Sequence, residues 1–167
     1  MEYLKLDADK RKELWTGLAG MPAYLKEFVS TLTTAQTRTP APDGGFSPVE
    51  QIWHLADLER EGFGKRINKL LTESCPHLPD FDGIKIAKER NYLSLSLDDG
   101  LLEFTIARAQ NLSMLQSLDA VSWSRPGTQD GVGEIALCDI PGFMSQHDTA
   151  HKSEIETWKI YIETQNG

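Results

Sequence analysis

The chain has 167 residues, 40% of them hydrophobic and 25% charged, with a formal net charge of -8 at pH 7. That length suits one domain, 1–167, whose core can stand without disulfide or metal staples, and the composition excludes a disordered or collagen-like chain. The acidic balance excludes a sequence-independent grip on nucleic-acid phosphates or anionic membranes, both of which need surplus Lys and Arg.

The first residues, Met1-Glu2-Tyr3-Leu4-Lys5-Leu6-Asp7, lack the apolar run of a signal peptide, and no stretch reaches the ~20 apolar residues that span a bilayer. A cytoplasmic location is expected, with Cys75 and Cys138 unpaired in a reducing compartment. Leu14 and Leu18 open a helical spacing that resumes after Gly20-Met21-Pro22 with Leu25, Phe28, Val29 and Leu32. Pro22 predicts the first turn of a new segment or a kink. The breaker cluster Thr39-Pro40-Ala41-Pro42-Asp43-Gly44-Gly45 ends this region.

Ser47-Pro48-Val49-Glu50 is the clearest boundary: an N-cap serine, proline at the first helical position, and a capping-box glutamate. Val49, Ile52, Ala56, Phe63, Ile67 and Leu70 then predict a second helix of about six turns, ended by Cys75-Pro76-His77-Leu78-Pro79. A short amphipathic segment follows over Ile84 to Leu93. Ser96-Leu97-Asp98-Asp99 opens a third helix through Leu101, Thr105, Arg108, Leu112 and Leu115. Val121 to Glu134, with Pro126-Gly127 and Asp130-Gly131-Val132-Gly133, predicts an irregular loop or small hairpin and no real sheet. A fourth helix begins near Asp139 and runs through Met144, His147, His151, Ile155, Trp158 and Ile162. Four long helices with modest loops indicate an all-α four-helix bundle.

At ~100° per residue, His147 and His151 lie within about 40° of each other, inside the apolar stripe of Met144, Ile155 and Trp158. Two stacked core imidazoles repel if charged and lack partners if neutral, and one metal ion relieves both costs. Of the remaining histidines, His77 sits beside prolines in a loop and reads as surface. His54 lies on the second helix but off the centre of its apolar stripe. Position alone leaves it open between a ligand at the mouth of the bundle and a solvated flank histidine. His147-Asp148-Thr149-Ala150-His151 is not the zinc-protease motif, since aspartate stands where that motif has its glutamate base. Asp57 and Asp148 are candidates to orient an imidazole from behind, or are solvated helix charges. Arg108 and Arg125 are candidates for an anionic substrate group, or are surface arginines.

Taken together, these residues resemble the DinB/bacillithiol-transferase superfamily. The likeness rests on Phe46-Ser47-Pro48-Val49-Glu50-Gln51-Ile52-Trp53-His54-Leu55-Ala56-Asp57 and on Gln146-His147-Asp148-Thr149-Ala150-His151. Between them it extends through Pro79-Asp80-Phe81-Asp82, Arg108, Trp123-Ser124-Arg125 and Gly133. The chain departs from the family pattern at Phe46, where tryptophan is common. It departs again at Asp139-Ile140-Pro141-Gly142, where relatives have an uninterrupted first turn. The resemblance implies an up-down-down-up bundle, often a homodimer, in which His54, His147 and His151 hold a divalent metal, zinc or nickel. It further implies thiol S-transferase or hydrolase chemistry on a small-molecule substrate, with a low-molecular-weight thiol as a cosubstrate of the former. The alternative is a non-catalytic metal- or small-ligand-binding stress-response protein.

Overall fold

The computed structural model describes residues 3–165; Met1 and Glu2, the start of the segment read as lacking an apolar leader, lie outside it, as do Asn166 and Gly167. Asp7 caps helix α1 (Ala8–Ser30), its carboxylate accepting from the Lys10 N–H at 2.9 Å. No new segment begins at Pro22, one of the two readings the sequence offered, and α1 runs through it. Proline there withholds the N–H that would bond the carbonyl four residues back, that of Leu18. Arg108, from another helix, donates its Nη1 to that carbonyl at 3.0 Å instead. The cost of an interior proline is thus partly offset by a cross-helix bond that only a freed carbonyl can accept so readily.

The second long helix starts where its capping box predicted. The Glu50 carboxylate reaches back to accept from the Ser47 N–H at 2.9 Å and the Ser47 hydroxyl at 2.7 Å. It is not one uniform α-helix but three abutting pieces: α2 (Pro48–Asp57), a π-helical stretch over Leu58–Gly64, and α3 (Lys65–Thr72). Every residue of α2 except Glu50 is buried, so this helix has no solvent face and forms the spine of the bundle. A short helix α4 (Gly83–Arg90) and a 3-10 turn over Tyr92–Ser94 lead to α5 (Leu97–Gln116), whose N-cap Ser96 accepts from the Asp99 N–H at 3.2 Å. Close approach of α5 to α2 requires Gly100, because a β-carbon there would stand 2.9 Å from the Trp53 ring.

After the one-turn helix α6 (Ala120–Trp123), the chain forms strands β2 (Pro126–Gln129) and β3 (Gly133–Ala136). They pair antiparallel, and β1 (His77–Leu78) adds to β2 in parallel, giving a three-stranded sheet in the order β1-β2-β3. The expectation of no real sheet is therefore corrected. Strands of two to four residues are too short to display an alternating pattern. A 3-10 turn over Leu137–Asp139 precedes α7 (Ile140–Gln165), which begins where the sequence placed the fourth helix. The two cysteines form no disulfide, Cys138 being buried and Cys75 exposed. Among the described residues, no helix is long and apolar enough to cross a membrane.

Helices α1, α2–α3, α5 and α7 form the four-helix bundle, and its core is divided. One apolar cluster holds Leu18, Phe63, Ile67, Leu112 and Met144; the other holds Met21, Ile52, Phe104, Ile155 and Trp158. Arg108 lies between Phe104 and Leu112 on α5, and Asp148 between Met144 and Ile155 on α7. Arg108 donates Nη1 and Nη2 to Asp148 at 2.7 and 2.8 Å, and Nη2 also to Glu59 at 3.0 Å. Asn111 donates to both the backbone carbonyl and the carboxylate of Glu59, each at 2.8 Å. Burial pushes the Glu59 carboxyl pKa up while Arg108 and Asn111 pull it down, and burial prevails.

Arg108, 2% exposed, is the one cation in this node, and its removal would strand Asp148 and Glu59 in the core. Arg108→Met should therefore cost about 3–5 kcal/mol, measured by urea unfolding. Arg108→Met with Asp148→Asn and Glu59→Gln should recover part of that loss, because the uncompensated charge is then gone.

Candidate metal centre

The site is built from two helices. His54 projects from α2, while His147 and His151, one turn apart, project from α7. One ligand atom from each of the three falls within 4.8 Å of the others. The Nε2 atoms of His147 and His151 are 3.1 Å apart, and the His54 ring centroid lies 4.9 Å from that of His151 and 5.5 Å from that of His147. His54 and His151 are buried and His147 is half-buried.

Burial lowers the pKa of His54 to about 4, with the neighbouring His151 ring acting in the same direction. Burial likewise lowers His147 to about 2, helped by His151 and His54. Both rings are neutral at pH 7 and present lone pairs. For His151 the partners fix the tautomer: Nδ1 faces Gln51 Oε1 at 2.5 Å and Glu154 Oε2 at 3.0 Å. Both are acceptors, so Nδ1 carries a proton, and Nε2 is the ring nitrogen turned toward His147. Gln51 donates in turn to Glu154 at 2.7 Å. The hydrogen bond from His151 holds the Glu154 carboxyl down to about pKa 2, so it stays ionised.

His54 is fixed by shape. Its ring stands 5.3 Å from Phe46 and 6.0 Å from Phe81, centroid to centroid, and its Nδ1 is buried with no hydrogen-bond partner among the described residues. Gly83 closes over it: a β-carbon at that position would lie 2.4 Å from His54 Cε1 and 2.6 Å from Nδ1. Gly83 does not have a positive φ, so space and not backbone freedom demands glycine there. The segment that carries Gly83 is latched to α2 through Asp57, whose carboxylate accepts from Tyr92 Oη at 2.5 Å and from Arg90.

Three imidazoles fit a divalent ion of the zinc, nickel, copper or iron type. Donors about 2.1 Å from such an ion stand roughly 3.0–3.4 Å apart, so these rings need only close slightly. A cavity of about 930 Å³, lined in part by His54, Gln51, His151 and Glu154, opens onto the cluster.

The three sequence-nominated histidines therefore come together, while His77 is at the surface against Thr128 and Asp130. The four charged candidates do other work. Asp57 and Asp148 do not orient an imidazole; they bond Arg90 with Tyr92, and Arg108, respectively. Arg108 is consumed by carboxylates in the core. Arg125 donates to the Leu70 and Glu73 carbonyls at 2.5 and 2.8 Å, satisfying the C-terminal end of α3. Neither arginine is available to a substrate. The residues that do hold His151, Gln51 and Glu154, lie three before His54 and three after His151, a spacing that places each beside its histidine.

A helical bundle with three imidazoles converging beneath a cavity is the architecture of a candidate metal centre. Residues 18–155 match the model of the DinB superfamily, and the chain belongs to that superfamily. A Geobacillus kaustophilus protein, named as a candidate metal-dependent hydrolase, is 25% identical over 152 residues, covering 90% of this chain and 85% of its own. One from Bacillus licheniformis, named likewise, is 28% identical over 152 residues, covering 87% and 86%. The solved structure of YfiT from Bacillus subtilis, described as a candidate metal-dependent hydrolase with an unusual four-helix-bundle topology, superposes with a TM-score of 0.85. At 21% identity, over 95% of this chain and 91% of YfiT, that likeness speaks to the fold.

Gly83→Ala tests the clamp on His54. The added methyl must displace the imidazole, so zinc affinity in competition with a chromophoric chelator should fall roughly 10–100-fold, the scale seen when a ligand's outer support is lost. Unchanged affinity would show that the clamp does not position His54.

Proposed function

We propose that the chain is a metal-dependent enzyme in which His54, His147 and His151 hold one divalent ion, zinc or nickel, and that its reaction is hydrolysis of a small molecule. The observation that carries this reading is the convergence of three imidazoles on an open cavity. Bound there, the ion would supply Lewis acidity, lowering the pKa of water that reaches a coordination position the histidines leave open. The protein's own groups prepare that position. Glu154 and Gln51 keep the His151 proton on Nδ1, and Phe46, Phe81 and Gly83 set the His54 ring. Phe63, 6.1 Å from His147 between centroids, lowers the polarity on the far side.

The names of the relatives support hydrolysis over other metal-assisted reactions. Thiol transfer, the other chemistry the superfamily resemblance suggests, differs in the nucleophile. No cysteine lines the cavity, so a thiol would have to arrive as a separate cosubstrate. A homodimer belongs to the same proposal, with Leu102 and Ile106 exposed on α5 as apolar surface for a second copy.

The test is turnover of a panel of neutral aryl esters by zinc- or nickel-loaded protein, alongside conjugation of monochlorobimane with small thiols. Ester hydrolysis should drop on the order of 100-fold or more in His151→Ala, while far-UV circular dichroism stays near that of the parent, since the core does not depend on the ion. Bimane conjugation without hydrolysis would replace hydrolase by S-transferase. A bound metal with neither activity would favour the non-catalytic ligand-binding protein.

A further inference from the structure

The cavity over the histidine cluster has a wall whose chemistry selects among substrates. Pro40, Ala41, Phe46, Ile84, Ala87 and Leu93 make it apolar. Ile84 and Leu93 are 65% and 43% exposed, so two large aliphatic side chains face solvent at the cavity instead of packing into the core. Isolated exposed apolar residues need no explanation, but two on the wall of one cavity provide a seat for an apolar group.

The charges on the same wall are unbalanced. Asp43, Glu50 and Glu154 are acidic, and Lys88 is the one lysine or arginine among the lining residues. The three carboxylates are held on the wall by local bonds. Asp43 accepts from the Gly45 N–H at 3.0 Å, Glu50 from Ser47, and Glu154 from Gln51 and His151. None is paired with lysine or arginine among the described residues. Two surplus negative charges offset the double charge that a divalent ion would bring. The loaded cavity then offers an anion little net attraction, and a carboxylate on the ligand meets like charges fixed beside it.

We propose that this site takes an uncharged or cationic small molecule with an apolar body, and discriminates against polyanionic substrates and cosubstrates. The inference rests on the metal-enzyme reading and specifies the substrate class for that site. It also bears on the nucleophile, because a thiol carrying several carboxylates is disfavoured by the same wall.

The experiment uses full-length protein loaded with zinc and first assayed for one ion per chain. Three hydroxamates sharing the metal-binding group but ending in a phenyl, an aminomethylphenyl or a dicarboxyphenyl tail are then titrated by calorimetry at low and high salt. The neutral and cationic probes should bind at least roughly 10-fold more tightly than the dicarboxylate at low salt, and the gap should narrow at high salt. Asp43→Asn, outside the histidine network, should narrow it as well. Equal or tighter binding of the dicarboxylate overturns the inference while leaving the metal enzyme intact. So does a loaded protein that binds none of the three, since the cavity would then not be a ligand seat. A chain that fails to load zinc fails at the assay before any probe is added, and that result overturns the metal reading together with the inference built on it.

Discussion

The fold depends on a single buried guanidinium. Arg108 on α5 bonds the Leu18 carbonyl on α1, Glu59 in the π-helical stretch of the second helix, and Asp148 on α7, so all four long helices meet at one side chain. Each partner has a reason to be there. Leu18 has a free carbonyl because Pro22 cannot bond it, and Asp148 and Glu59 would be intolerable in the core without a cation. The π-helical stretch begins immediately before Glu59, whose main-chain carbonyl takes an Asn111 amide proton in addition to its helical role. A proline inside a helix and an arginine inside a core are each unfavourable alone, and here each supplies what the other lacks.

This node also sets the site. Asp148 follows His147 directly and precedes His151 by three residues, so the fork that grips Asp148 fixes the rotation of α7 and with it the direction of both imidazoles. Glu59 does the same for the second helix, five residues after His54. The ligand cluster therefore inherits its geometry from the centre of the bundle, and its local groups make the final adjustment: Gln51 and Glu154 for His151, and Gly83 for His54. Burial that leaves His54 and His147 neutral also leaves them ready for a cation.

Much of this was legible in the sequence. The capping signals at Ser47 and Ser96 and the apolar periodicity placed the long helices, and the stacking of His147 and His151 in an apolar stripe marked a site. What failed to show follows from packing. His54 reads as a flank residue because its apolar stripe runs across the π-helical stretch, where the wider turn breaks the 3.6-residue phase, and because α2 is buried on nearly every side. Pro22 reads as a boundary or a kink because its compensation comes from Arg108, far along the chain. Asp57, Asp148 and Arg108 read either as parts of the site or as solvated surface charges and are neither, because a charge paired in a core looks the same in sequence as those two until its partner is known.

The proposed chemistry requires that the three imidazoles share one ion. Crystals of the zinc-loaded protein measured on both sides of the zinc absorption edge should give one strong anomalous peak per chain, with nitrogens of His54, His147 and His151 about 2.0–2.1 Å from it. An anomalous peak held by other residues, or none between these three rings in a chain soaked with excess zinc, would contradict it.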